Sequence, residues 1–216
     1  MRLGVWFALF MMAAAGAEAA CVKPTGYDGP DLQFRVDVPK PVYRHDLGRA
    51  KISEMHRDVG AEAGVGTVGL TLNAFALRIS TEGEWVDPPE GGSCFWPGRV
   101  EVVLSIPQMM VFLAAEYPEG SCQYNAILEH ENEHVRTNLE VLERHGPKIE
   151  AAARRAVAGI VPFPAAFRMT GRQMSEVLQK RINPAVDALD AERVKLNLAL
   201  DTPENYERIA ARCTGW

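Results

Sequence analysis

The chain has 216 residues, which suits one domain or two small ones, and 47% of them are apolar, an ordinary share for a globular protein. Its net charge is −5, with no block of lysine or arginine. A mildly acidic chain without a basic stripe is poorly suited to a phosphate backbone, so nucleic acid is set aside as a partner.

Met1-Arg2 carries one positive charge, an uncharged apolar run covers residues 3–15, and Ala17-Glu18-Ala19 follows as a small-x-small pattern. That layout predicts a secretory signal peptide over residues 1–20. The apolar run is shorter than the roughly 18 residues a spanning helix needs, and no later segment is apolar enough, so no stable membrane span should remain after cleavage. Glu18, three residues before Cys21, disfavours lipid modification there. The expected location is secreted or periplasmic, where thiols oxidise. Cys21, Cys94, Cys122 and Cys213 then suggest two disulfides. No CxxC pair is present, so a cysteine-based zinc site is unsupported. Of the three connectivities, Cys94–Cys122 with Cys21–Cys213 is preferred, because one bridge would tie the chain ends.

Residues 32–38 and 68–74 alternate apolar and polar side chains and read as strands. Residues 44–60 are polar, a short helix or a loop, and 88–92 (PPEGG) form a turn or loop. Residues 99–106 (RVEVVLSI) are rich in β-branched residues and stop at Pro107, so they predict another strand. Residues 109–115 are apolar and of undecided type. From about Cys122 the pattern turns helical, with Ser121 as cap, and should run to Arg144 before Gly146-Pro147 ends or kinks it. Further helical runs cover 148–157, 173–182, 184–198 and 203–212, with 159–164 as a connector. Strands first and helices afterwards predict an α+β fold.

Within residues 124–138 (YNAILEHENEHVRTN) lies His130-Glu131-Asn132-Glu133-His134, an HExxH. Two histidines at i and i+4 share one helix face and can reach one Zn²⁺, with one ion per chain expected. Glu131, beside the first histidine, is then the candidate catalytic residue, a general base acting on a water at the metal. On a helical wheel Ile127, His130, Glu131, His134, Val135, Asn138, Val141, Leu142 and His145 share a face, while the opposite face is charged. The motif therefore faces the protein interior, where two histidines and a glutamate without partners would be costly. An open site needs a third ligand. Thr137 and Glu140 exclude the metzincin pattern, and His145 is about 16 Å along the helix from His134. A carboxylate from a later helix is expected, with Glu150, Glu176, Asp187, Asp190 and Glu192 as candidates. His45 and His56 read as surface residues, and Trp85, Phe95 and Trp96 as core or groove residues.

The leader, the strands, the VxLSIP-like stretch and YNAILEHENEHV resemble the bacterial proteins described as predicted secreted zinc-dependent proteases, over residues 69–146. The resemblance implies His130 and His134 as zinc ligands and Glu131 as the catalytic carboxylate. It also implies a His-Gly near the C-terminus, but no histidine follows His145 in this chain. The combined expectation is an α+β, zincin-like domain over 21–158, with an antiparallel or mixed sheet on the HExxH helix and a helical subdomain over 159–216. Its expected activity is hydrolysis of peptide bonds in protein or peptide substrates, cell-wall peptides included. The alternatives are a non-catalytic envelope protein that binds or scaffolds, and a closed structural zinc site with four protein ligands.

Overall fold

The structure is a computed structural model that describes residues 21–58, 67–165 and 168–216. The signal-peptide expectation falls on residues 1–20 and lies outside the described residues. The fold is α+β: two small mixed sheets, a long helix after them, and C-terminal helices.

The first sheet is built on β5 (Ser93–Ser105), with β1 (Asp31–Asp37) parallel on one side and β4 (Ala76–Val86) antiparallel on the other. A short β7 (Phe163–Ala165) pairs with the start of β5. Val100, Val102, Val103 and Leu104 of β5 are all buried, so both faces of this strand are covered. That explains the β-branched run without alternation in the sequence. The second sheet has the order β2-β6-β3, with β2 (Val42–Leu47) parallel and β3 (Gly69–Asn73) antiparallel to β6 (Met109–Ala114). Helix α1 (Arg49–Asp58) follows β2 and buries Ile52 in a small cluster with Leu70, Phe112, Leu113 and Ile127. The polar stretch 44–60 thus contributes both a strand end and a helix. β4 had no counterpart among the predicted strands, because its outer half (STEGE) carries charge and glycine.

Helix α2 (Cys122–Ala158) starts on Ser121, whose side chain accepts the Tyr124 backbone N–H. It continues through Gly146-Pro147, expected to end or kink it, and takes in the helical run expected over 148–157. Residues on both sides of Pro147, from Val141 and Leu142 to Ile149, Ala153 and Val157, lie in one buried cluster, and this packing outweighs the lost backbone bond. Helix α3 (Gly171–Leu200) likewise runs through Pro184 and joins the two expected helices into one. Met174, Leu178, Ile182 and Leu189 of α3 enter the same core as β5 and α2. Helix α4 (Pro203–Ala210) follows after a single sharp joint at Asp201-Thr202.

The disulfides correct the expected pairing: they are Cys21–Cys94, with Cα atoms 5.7 Å apart, and Cys122–Cys213, with Cα atoms 5.8 Å apart. The segment before β1 is tied to the start of β5, and the segment just after α4 is tied to the start of α2. Cys21 and Cys213 are therefore fixed to different elements rather than to each other.

Candidate metal centre

All nine residues assigned to the inward face of α2 are buried, including His130, Glu131 and His134. Helix α3 crosses this face in the opposite direction, and a ladder of polar contacts sets its register. His145 Nε2 lies 2.7 Å from Glu192 Oε2, His134 Nδ1 lies 2.7 Å from Asn197 Oδ1, and both histidines of the motif meet Asp201.

Asp201 is the third member of the metal-capable group. Its Oδ1 is 3.2 Å from His130 Nε2 and 3.2 Å from His134 Nε2, and the two nitrogens are 3.2 Å from each other. A tetrahedral ion with ligands at about 2.0–2.2 Å spaces them about 3.3–3.6 Å apart, so this triangle has the size of three ligand positions. Both Nε2 atoms face Asp201 Oδ1 and each other, so protons or a cation must lie among these three atoms. His130, His134 and Asp201 can therefore hold a metal ion.

The third position is filled by a carboxylate at the end of a later helix, as expected, but by none of the five candidates. Glu192 is taken by His145 and Arg144, Glu150 by Arg154, Glu176 by Arg172 and Asp190 by Arg193. The metal-capable group includes neither these nor Asp187. Asp201 caps the C-terminal end of α3, and Thr202 next to it caps α4. Asn205 Nδ2 donates to the carbonyls of Ala199 and Leu200, which satisfies the last turn of α3 and stiffens the joint. The legible signals were the i, i+4 pair Asn197 and Asp201 and the position of Asp201 just before the Thr202-Pro203 helix start.

The electrostatics match a cation at the centre. Burial opposes charge on His134, but the Asp201 hydrogen bond and the charges of Glu131 and Asp201 outweigh it and raise its pKa to about 9. Burial also opposes charge on Asp201, yet hydrogen bonds from His130, His134 and Tyr206 hold its carboxyl well below the usual range. Burial and the adjacent Asp201 push the Tyr206 phenol up, so it stays protonated and donates to Asp201 Oδ1 at 2.8 Å.

Glu131 is separate from the triangle. Burial raises its pKa, opposed by His134, His130 and a hydrogen bond from Thr71. Thr71 Oγ1 donates to Glu131 Oε2 at 2.7 Å. Gly69, two residues earlier on the same face of β3, has no side chain because a Cβ there would lie 2.4 Å from Glu131 Oε1. Sequence reasoning missed both residues, since nothing in a strand pattern points to a helix partner.

The remaining histidines serve the scaffold. His145 pairs with Glu192, His45 Nε2 lies 2.9 Å from the Tyr117 carbonyl, and His56 Nδ1 meets Thr67. Phe95 and Trp96 are buried, and Trp85 packs on Phe95.

Compared with protein-family models, with curated proteins and with solved structures, the chain finds no match. No family is shown for the chain, and the resemblance to predicted secreted zinc-dependent proteases rests on the HExxH and the VxLSIP-like strand before it alone.

Proposed function

We propose that this chain is an exported zinc-dependent hydrolase of peptide bonds, with a zincin-like arrangement in which His130, His134 and Asp201 hold the metal and Glu131 is the general base. The observation that carries the reading is the converging triangle of two Nε2 atoms and one carboxylate oxygen, with a separate buried carboxylate beside it. Two imidazoles and one carboxylate suit Zn²⁺, whereas Ca²⁺ and Mg²⁺ prefer all-oxygen shells. Three protein ligands leave the fourth position of a tetrahedral ion open, as a catalytic rather than a structural site requires. The two disulfides fit an oxidising compartment outside the cytoplasm.

Zinc in this site supplies a water acidic enough to ionise near pH 7 and polarises a carbonyl. The chain supplies the rest. Glu131, with a raised pKa, accepts a proton from the attacking water and returns it to the leaving nitrogen. Thr71 holds one carboxylate oxygen of Glu131, and the other lies against Gly69. The strand beside the site is β3, which among the described residues is one of the two edge strands of its sheet, and an extended peptide can pair with such an edge. The strand β5, by contrast, has β1 and β4 as neighbours on its two sides along residues 99–105 and offers no free edge there.

The test is paired: zinc content and turnover of a casein or cell-wall peptide mixture, in wild type and in Glu131→Gln. The expected result is unchanged zinc with turnover lowered by about 10²–10⁴-fold. Turnover retained in Glu131→Gln contradicts the assigned base. A zinc-loaded wild type that cleaves nothing favours the non-catalytic reading.

A further inference from the structure

His134 begins and ends a closed chain of hydrogen bonds. Its backbone carbonyl accepts from Asn138 Nδ2 at 2.7 Å, and Asn138 Oδ1 accepts from Asn197 Nδ2 at 3.0 Å. Asn197 Oδ1 then faces His134 Nδ1 at 2.7 Å. Asn197 Nδ2 also donates to the Arg193 carbonyl at 2.8 Å, so both of its protons are used. Asn138 is completely buried and has one neighbour that can only accept, the His134 carbonyl.

These partners fix the direction of both amides. If Asn138 were turned over, its oxygen would face the His134 carbonyl oxygen. If Asn197 were turned over, its oxygen would face the acceptors Asn138 Oδ1 and Arg193 O. With the amides fixed, only an acceptor is presented to His134 Nδ1, and a neutral imidazole must carry its proton there. Its Nε2 is then left with a lone pair directed at Asp201 and His130.

We propose that Asn138 and Asn197 are positioning residues that lock His134 in the Nδ1–H tautomer and so set the affinity of the site for zinc. This rests on the metal reading above but not on the hydrolytic one. It extends the motif on α2 from HExxH to His130-Glu131-x-x-His134-x-x-x-Asn138, paired with Asn197-x-x-x-Asp201 on α3. Loss of an outer partner of a metal-bound histidine typically weakens metal binding about 10–100-fold.

The experiment measures zinc affinity by chelator competition in the full mature chain, for wild type, Asn197→Ala, Asn138→Ala and the double variant. Alanine keeps both helices in a favourable residue. Metal-free unfolding of each variant is recorded alongside, and ¹⁵N NMR of the zinc-loaded proteins places the His134 proton. We expect Asn197→Ala to bind zinc about 10–100-fold more weakly. Asn138→Ala should shift affinity the same way, and the double variant should lose less than the two single losses combined, because the two amides act in series. The wild type should show a slowly exchanging proton on His134 Nδ1 that becomes fast in Asn197→Ala. Affinity in Asn197→Ala within about twofold of wild type, or a zinc-loaded wild type with the proton on Nε2, overturns the proposal. A wild type that binds no zinc overturns the metal reading with it. Zinc binding without turnover contradicts the hydrolase alone.

Discussion

Thr71 and Glu131 are 60 residues apart in the chain and 2.7 Å apart in the fold, and their contact joins the edge strand β3 to the HExxH helix. Glu131 is 3% exposed, so this hydroxyl is one of few polar groups able to steady its carboxylate. Thr71→Val should lower turnover about tenfold through one lost hydrogen bond to a charged group, and Thr71→Ser should restore it. The loss should fall on kcat, with zinc content and KM little changed.

Gly69 is the second half of that arrangement. A Cβ at 69 would meet Glu131 Oε1 at 2.4 Å and Ile127 Cγ2 at 2.7 Å. Gly69→Ala should therefore displace the base and cost about 1–3 kcal/mol of stability by overpacking. Denaturant unfolding and turnover, measured together, check this. Wild-type stability and wild-type turnover in Gly69→Ala would contradict the close approach.

The pKa of His134, raised to about 9, gives two opposite pH dependences. In the metal-free protein its proton is held more tightly than in the unfolded chain. Its stabilising contribution is therefore whole below the ordinary value of 6.5 and lost as pH rises through about 9. Zinc must displace that proton. Apparent zinc affinity should thus climb about tenfold per pH unit between about 7 and 9, then flatten. Chelator competition across this range checks the slope, and a flat profile would show that His134 carries no proton to displace.

The loop closed by Cys122–Cys213, with a sequence separation of 91, contains His130, Glu131, His134, Asn138, Asn197 and Asp201. Replacing both cysteines with serine should cost about 4–5 kcal/mol if the bridge acts by restricting the unfolded chain. Excess zinc should recover part of it by binding the folded state. Thermal unfolding of the variant, with and without zinc, provides the comparison.

Much of this site was legible in local sequence. The i, i+4 spacing of His130 and His134 and the wheel through His145 identified the buried face of α2, because a helix repeats within a few residues. Asp201 was legible only as a class, a carboxylate from a later helix, while Thr71 and Gly69 were not legible, since each reaches the site from a strand whose own surroundings carry no trace of the contact. The disulfide pairing failed for the same reason: spacing along the chain does not reveal that α4 returns to the start of α2. Pro147, expected to end or kink a helix, and Pro184, expected to start a new one, both lie inside continuous helices held by the packing around them.

The central claim is tested most directly by the zinc content of the mature protein, purified without chelator, in wild type and in the double variant His130→Ala/His134→Ala. We predict about one zinc per chain in wild type and none in the double variant. A wild type without stoichiometric zinc, or a double variant that keeps it, would contradict the assignment of this centre.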